Sequence, residues 1–273
     1  MKFGFVTCVQ LGLSCMEALY QSGVKLDLAI TLPDKTDKKK SGRVYIDSFC
    51  KEHKIPLLKN SHISNPEVIE FISQNNIDWL FIIGWSQIAS EDLLNSTKKG
   101  VLGIHPSLLP EGRGRASIPW AILKNLNKTG VTMFKMDSGV DTGPIVGQIE
   151  IQLNNKTTAT KLYQEVNFAH YQLIKKMTQT ILNGQLKFIP QDDAKATTWP
   201  ARKPEDGEIN FKGSVYDAEK LVRATTHPYP GAFYYKNGIK NIVWSAKIIE
   251  DSDLNIKKNN ELKFNDGTLL ILN

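Results

Sequence analysis

The first half of the chain alternates short apolar, often β-branched runs with segments in which apolar residues recur every three or four positions. Four apolar runs predict buried β-strands, at residues 3–7, 26–31, 79–83 and 101–105. Helical spacing predicts helices near residues 14–22, 44–53 and 66–74. This alternation indicates an α/β fold, with a Rossmann-like, mostly parallel sheet and helices on both of its faces.

The second half begins with two more strands, predicted at residues 131–136 and 145–151, and one long amphipathic helix over 158–182. After Asp192 the pattern changes to short apolar runs, at 231–235, 241–248 and 262–272, separated by Asn-Gly and Asp-Gly dipeptides. Such dipeptides favour tight hairpins. We therefore predict a large α/β domain over residues 1–192 and a small β-rich domain over residues 193–273.

The composition is that of a globular protein, with 41% hydrophobic and 23% charged residues among 273. No apolar run reaches the roughly eighteen residues of a membrane span, and the N-terminal run is too short for a secretory signal. We therefore expect a cytoplasmic protein with no membrane partner. The three cysteines, Cys8, Cys15 and Cys50, fit no zinc spacing, and no bound metal is expected.

The net charge of +6 includes a basic cluster formed by Lys35, Lys38, Lys39, Lys40 and Arg43. The cluster is either a solvated loop or an electrostatic guide for an anionic substrate. The turn after the first strand, TCVQLG at residues 7–12, lacks the Gly-x-Gly-x-x-Gly pattern, and the chain has no P-loop. A dinucleotide site at this turn is therefore not expected.

Two Gly/Pro-rich turns carry the candidate chemistry, and each follows a predicted strand. The segment GIHPSLLP, residues 103–110, contains His105, and the segment DSGVDTG, residues 137–143, contains Asp141. Open α/β sheets place their chemistry at strand ends. Histidine titrates near neutrality and can transfer protons, and a nearby carboxylate can orient its ring. The two turns together predict an acid–base site.

These two segments in combination resemble the folate-dependent formyltransferases. That superfamily includes methionyl-tRNA formyltransferase, glycinamide ribonucleotide transformylase and the enzymes that formylate amino sugars on nucleotides. The similarity resumes in TWPARKPEDG, residues 198–207, and PYPGAF, residues 228–233, so it covers most of the chain. It implies a formyltransferase catalytic domain, a small OB-like C-terminal domain and 10-formyltetrahydrofolate as cosubstrate.

The resemblance assigns the catalytic roles to His105 and Asp141. Family members carry an asparagine two residues before the histidine, which donates a hydrogen bond to the developing oxyanion, but this chain has Gly103. Losing one such donor can cost about 3 kcal/mol of transition-state stabilisation. Gln87, just beyond the strand predicted at 79–83, is our candidate for a replacement donor, and Ser86 is the next choice.

The resemblance also implies which residues bind the two substrates. The folate is expected to contact Ser86, Gln87, Ile88, Ala89, Leu108, Pro110, Ser138, Gly139, Val140 and Asp141. The second substrate is expected to contact Arg113, Arg115, Trp199, Arg202, Arg223, Tyr229 and Phe233. Core packing for the apolar residues and structural ion pairs for the arginines are the alternative interpretations.

The leading hypothesis is an N-formyltransferase that acts on a UDP- or dTDP-linked amino-dideoxy sugar in surface polysaccharide biosynthesis. Nucleic acid is not an expected partner, and a homodimer is compatible with the resemblance. Methionyl-tRNA formyltransferase is the first alternative; the basic charge favours it, whereas the compact C-terminal region and Gly103 speak against it. A non-catalytic RNA- or ligand-binding protein is the second alternative, and the presence of both His105 and Asp141 speaks against it.

Overall fold

The computed structural model describes residues 1–35, 42–249 and 260–272. The chain forms two compact units. The first contains Met1–Arg115, Thr129–Ile151 and Glu165–Trp199, and the second contains Ala116–Lys128, Gln152–Gln164 and Pro200–Asn273. The division after residue 192 stays a prediction. Lys38, Lys39 and Lys40 lie outside the described residues.

A seven-stranded sheet is the centre of the first unit, in the order β3-β2-β1-β4-β5-β7-β8. The first five strands are β1 (Phe3–Val6), β2 (Leu28–Thr31), β3 (Leu57–Lys59), β4 (Trp79–Ile83) and β5 (Gly100–His105). The next four are β6 (Arg113–Gly114), β7 (Lys128–Lys135), β8 (Ile145–Gln152) and β9 (Thr198–Trp199). Strands β1 to β5 pair in parallel, whereas β7 runs antiparallel to β5. The predicted mostly parallel α/β sheet is confirmed.

The helices are α1 (Gln10–Gln21), α2 (Asp47–Glu52), α3 (Pro66–Gln74), α4 (Glu91–Asn95), α5 (Ser117–Leu123), α6 (Ala159–Leu182) and α7 (Val215–Thr225). Helix α3 begins at its proline, whose fixed φ suits the first helical position. The Ser90 hydroxyl accepts from the Leu93 N–H and caps α4. None of the helices in the described part of the chain has both the length and the apolarity of a membrane span.

The core of the sheet is apolar on both faces, as expected for buried parallel strands. Every residue of β4 is buried, and Phe5 on β1 stacks on Phe81 with ring centroids 5.7 Å apart. Arg43, which belongs to the basic cluster, donates to the backbone carbonyls of Cys8, Leu32 and Val44. This arginine therefore links the backbone at residues 8, 32 and 44.

The second unit contains the predicted small β-rich region. Strands β10 (Ala232–Lys236) and β11 (Ile239–Val243) form an antiparallel hairpin across the Asn-Gly dipeptide. Strands β12 (Ala246–Ile249), β13 (Glu261–Phe264) and β14 (Gly267–Ile271) form a sheet in the order β12-β14-β13. Two of the predicted strands, 241–248 and 262–272, are thus each divided in two. Helix α7, which the sequence analysis missed, packs against this sheet and buries Val215, Ala218 and Val222.

Candidate active site

His105 is the last residue of β5 and is only 7% exposed. Its Nε2 atom lies 2.8 Å from the carbonyl oxygen of Gly112. Because a carbonyl can only accept a hydrogen bond, Nε2 carries the hydrogen in this arrangement. The other ring nitrogen, Nδ1, lies 3.4 Å from Oδ2 of Asp141. Nδ1 is therefore the ring nitrogen that faces the carboxylate.

Asp141 reaches the histidine from a loop that doubles back along the sheet. The loop leaves β7 where the N–H of Met136 donates to the carbonyl of Val101, at the start of β5. Asp141 itself has a φ of +56°, in the left-handed region that non-glycine residues rarely adopt. Its Oδ2 atom accepts from the N–H of Gly114 at 2.9 Å. This bond fixes the carboxylate in front of the imidazole.

A polar network holds the turn that follows His105. The hydroxyl of Thr132 donates to the carbonyl of Ser107 at 2.7 Å and accepts from the N–H of Leu109 at 3.0 Å. Nε2 of Gln148 donates to both the Leu109 carbonyl and the Thr132 hydroxyl. Sequence reasoning missed Thr132 and Gln148, which lie on β7 and β8. Together they fix residues 107–109, the turn that directly follows His105.

The Trp199 ring packs against Gly112, whose carbonyl contacts His105. In this position it does not offer an exposed face on which a nucleotide base could stack. The tryptophan is 6% exposed, and a Cβ on Gly112 would lie 2.5 Å from its ring. Gly112 also has a φ of +72°, so both its conformation and the close approach of the ring favour glycine. Its N–H donates to the hydroxyl of Thr197. The prediction that Trp199 binds substrate is corrected: its ring packs under the turn.

Gly103 lies on β5 between two neighbouring strands. It pairs with Ile82 on β4 and with Phe134 on β7. A Cβ at this position would lie 3.1 Å from Cε1 of Phe134 and 3.3 Å from Cγ of Met136. The space into which a side chain of residue 103 would project is therefore filled by apolar atoms.

Gln87 does not offer its amide to His105. Its Oε1 atom accepts from the N–H of Ile63 at 2.9 Å and from Nε1 of Trp85 at 3.1 Å. Its Nε2 atom donates to the carbonyl of Ser61 at 2.7 Å. These bonds tie the loop after β4 to the loop after β3, so the structure removes the basis for Gln87 as the replacement oxyanion donor.

The residues assigned to folate differ in exposure. Ile88 and Val140 are apolar yet 68% and 49% exposed, as expected of side chains that an aromatic ligand could cover. Ser86, Ser138 and Gly139 are also exposed, whereas Leu108 and Pro110 are half-buried. The Ala89 side chain is 5% exposed and belongs to the cluster formed with β4 and α3, so the folate contact predicted at this residue could be made only by its main chain and stays a prediction.

The arginines and aromatic residues assigned to the second substrate have mainly structural partners. Arg113 contacts Gln191 and Asp193, and Arg223 makes a bidentate pair with Glu219 and donates to the Thr157 carbonyl. These contacts agree with the alternative interpretation as structural ion pairs, and the substrate contact of both arginines stays a prediction. Phe233 is 3% exposed and is corrected to a core residue.

The substrate-binding role also stays a proposal for Arg115, Arg202 and Tyr229. Arg115 is exposed. Arg202 lies over the Trp120 ring and donates to the Asp206 carbonyl. Burial raises the pKa of Tyr229, so its phenol is neutral.

Comparison with known families identifies the class of protein that this fold and site define. Residues 9–178 match the formyl transferase family model, and residues 202–272 match the model described as formyl transferase, C-terminal domain. The chain belongs to the formyltransferase family and is a folate-dependent formyltransferase. This finding confirms the resemblance and excludes the non-catalytic alternative.

Two curated relatives are similar in sequence. Methionyl-tRNA formyltransferase of Ruminiclostridium cellulolyticum is 32% identical over 252 residues, which are 92% of this chain and 80% of that protein. The bifunctional polymyxin resistance protein ArnA of Wigglesworthia glossinidia brevipalpis is 33% identical over 245 residues, 89% of this chain. The match covers only 36% of ArnA, so the chain spans about a third of its length.

Two solved structures share the fold over nearly the whole chain. WlaRD, a sugar 3N-formyl transferase solved with dTDP and 5-N-formyl-THF, has a TM-score of 0.72 at 21% identity and covers 99% of this chain and 96% of its own. The N-formyltransferase of Helicobacter canadensis, in complex with folinic acid and dTDP-3-aminofucose, has a TM-score of 0.71 at 20% identity. It covers 99% of this chain and 98% of its own. At these identities the likeness shows the fold.

Proposed function

We propose that the protein transfers the formyl group of 10-formyltetrahydrofolate to the primary amine of a UDP- or dTDP-linked amino sugar. The observation that supports the transfer chemistry is the arrangement of His105 and Asp141, with Nδ1 and Oδ2 3.4 Å apart. Support for the sugar acceptor comes from the match in fold with sugar N-formyltransferases over 99% of the chain. The surface polysaccharide pathway remains the expected destination of the product.

The contact with the Gly112 carbonyl determines which side of the His105 ring faces Asp141. Because Nε2–H is used on the Gly112 carbonyl, the Nδ1 side faces the carboxylate and the reacting groups. A separation of 3.4 Å is long for a charge-assisted hydrogen bond, which is usually 2.7–2.9 Å. At this separation, His105 Nδ1 and the Asp141 carboxylate can each still form a hydrogen bond with a substrate.

The two side chains divide the proton chemistry of formyl transfer. The formyl donor supplies an electrophilic carbonyl carbon, which the amine nitrogen of the acceptor attacks. Protonated Nδ1 of His105 donates to the formyl oxygen as negative charge develops there, and the Asp141 carboxylate accepts the proton that leaves the amine. The bond between the formyl carbon and N10 then breaks, and N10 takes up that proton from Asp141 as tetrahydrofolate leaves. Gly103 has no side chain that could donate to the formyl oxygen. Of the asparagine and histidine in the family pattern, this chain keeps the histidine, and we assign the donation to it.

The candidate folate surface is formed by the loops that carry Ile88 and Val140. Their exposed apolar side chains suit the face of an aromatic ring, and the exposed backbone of the 138–140 segment can supply polar contacts. Calorimetry with 5-formyltetrahydrofolate tests this surface. Ile88→Asp and Val140→Asp should each weaken binding by at least about tenfold, because a charge opposes burial of an apolar ligand face. Ile239→Asp, at an exposed apolar residue in the second unit, is the control.

Methionyl-tRNA formyltransferase is the second candidate, favoured by 32% identity over 92% of the chain to such an enzyme. An acceptor panel separates the two candidates. The purified protein is incubated with 10-formyltetrahydrofolate and, in parallel, with dTDP-linked amino sugars, UDP-linked amino sugars or methionyl initiator tRNA. We expect a formylated nucleotide sugar by mass spectrometry. Efficient formylation of the tRNA alone would overturn the sugar assignment and leave the formyltransferase class intact.

A further inference from the structure

Gln191 joins the aspartate loop to Arg113. Its Nε2 atom donates to the carbonyl oxygen of Asp141 at 2.8 Å and to that of Gly143 at 2.7 Å. Its Oε1 atom accepts from Nε and Nη2 of Arg113, at 3.0 and 2.9 Å. The amide therefore uses both donor hydrogens on a loop that lies about fifty positions earlier in the sequence.

Arg113 determines which way the Gln191 amide points. A guanidinium has only donors, so it must face the oxygen end of the amide, and the nitrogen end is then directed at the two carbonyls. Nη2 of Arg113 also pairs with Oδ1 of Asp193 at 2.7 Å, although that carboxylate is largely exposed. The Arg113 side chain itself is 11% exposed. The orientation of the amide thus follows from a nearly buried, charge-assisted contact.

One of the two carbonyls that Gln191 holds belongs to Asp141, the residue with the unusual backbone conformation, and the other lies two residues later. Asp141 has a φ of +56°, and a non-glycine residue in this region persists only where surrounding contacts enforce it. Asp137 constrains the same loop from its other side, since its Oδ1 accepts from the Gly139 N–H and the Thr142 hydroxyl. The Gln191 bonds act directly on the carbonyl of the residue whose carboxylate faces His105.

We propose that Gln191 is a positioning residue for formyl transfer: it holds the backbone of Asp141 so that the carboxylate stays within reach of His105 Nδ1. Arg113 acts with it by fixing the direction of the amide. The inference rests on the proposed catalytic role of Asp141. It also gives Arg113 a positioning function that is distinct from the substrate contact expected from the sequence.

Gln191→Glu tests the proposal with the smallest change of shape. A carboxylate still accepts from Arg113 but cannot donate to the two carbonyls. We expect kcat for formyl transfer to fall by at least about tenfold, since a misplacement of about 1 Å can cost up to a hundredfold. The KM value for the amine should stay within about twofold. Asn75→Asp, which removes a donor to the Phe71 carbonyl at the end of α3, should leave kcat unchanged.

A double-mutant cycle separates positioning from a general loss of stability. If Gln191 works through Asp141, adding Gln191→Glu to Asp141→Ala should lower kcat by less than about twofold further, because the group being positioned is gone. Multiplied effects in the double variant would overturn the proposal. A normal kcat for Gln191→Glu, together with a reduced kcat for Asp141→Ala, would also overturn the proposal. Normal kcat for Asp141→Ala would instead contradict the proposed function itself.

Arg113→Met provides a second variant in case Gln191→Glu fails to fold. It keeps the packing volume but releases the orientation of the amide, so kcat should fall at unchanged KM for the amine substrate. A raised KM with unchanged kcat would mean that Arg113 contacts the substrate, and this would overturn its part in positioning. Thermal unfolding of each variant, compared with Asn75→Asp, verifies that the kinetic change occurs in folded protein.

Discussion

Phe134 on β7 occupies the space beside Gly103 on β5, where a Cβ would lie 3.1 Å from its ring. The two residues are also partners in the sheet. A polar side chain at residue 103 cannot be added without displacing this ring or Met136. The glycine and its apolar neighbours are therefore best understood as one packed unit.

Gly103→Asn should destabilise the protein by about 1–3 kcal/mol, the usual cost of overpacking a core. Combining it with Phe134→Leu should recover part of that free energy of unfolding and give the asparagine space. Urea denaturation of the single and double variants measures both effects. Gly184→Asn, at a left-handed position with open space around it, is the control. Equal stability of Gly103→Asn and wild type would show that the site has spare volume.

Gln87→Ala should lower stability by about 1 kcal/mol through loss of loop hydrogen bonds. Because the amide is bonded to the 61–63 loop, kcat should change by less than about twofold, well short of an oxyanion donor's contribution. Steady-state kinetics and urea denaturation of the same preparation provide the comparison. A hundredfold fall in kcat with unchanged stability would restore Gln87 as the donor.

Because His170 is buried, we predict that the stability of the first unit decreases in acid. Burial lowers the pKa of this histidine from 6.5 to about 4, and the nearby His105 adds to the shift, while a bond to the Val166 carbonyl opposes it. Between pH 6.5 and about pH 4, the unfolded chain therefore binds a proton at this histidine that the folded protein does not bind. The free energy of unfolding should fall by up to about 3 kcal/mol as the pH decreases through this window.

Substituting the histidine tests that linkage. His170→Gln keeps a possible donor to the Val166 carbonyl but removes the titrating group. Its free energy of unfolding should change less than that of wild type between about pH 7 and about pH 4.5. Urea denaturation at both pH values measures the difference, and His62→Gln on the surface is the matched control. Identical pH dependence in wild type and His170→Gln would contradict the assignment.

The sequence predicts the long, apolar elements of the fold well. Strand β4 and helix α3 were predicted with the bounds that the structure has, because apolar runs and a proline start are local signals. Strand β3 was missed because it is three half-buried residues long. Helix α7 was missed although Ser214 caps it and its buried residues have helical spacing, because the Asn-Gly and Asp-Gly dipeptides that follow it favour β-hairpins.

The candidate site shows the same division between local and tertiary information. His105 and Asp141 are visible in the sequence because each lies in a distinctive turn. The antiparallel course of β7, which requires the aspartate loop to double back, does not follow from those turns. Gln191 and Thr132 could not be found at all, since their roles depend on contacts with residues distant in sequence. The structural partners of Arg113 could not be predicted for the same reason, since its ion-pair partner is eighty positions away.

The central claim is that His105 and Asp141 perform formyl transfer together, and single-turnover kinetics test it most directly. Enzyme in excess over 10-formyltetrahydrofolate is mixed with the amine substrate found in the acceptor panel, using wild type, His105→Gln, Asp141→Asn and the double variant. Each single variant should slow transfer by at least about a hundredfold, and the double variant should be little slower than either. Transfer at the wild-type rate by both single variants, with binding of 5-formyltetrahydrofolate intact, would contradict the account.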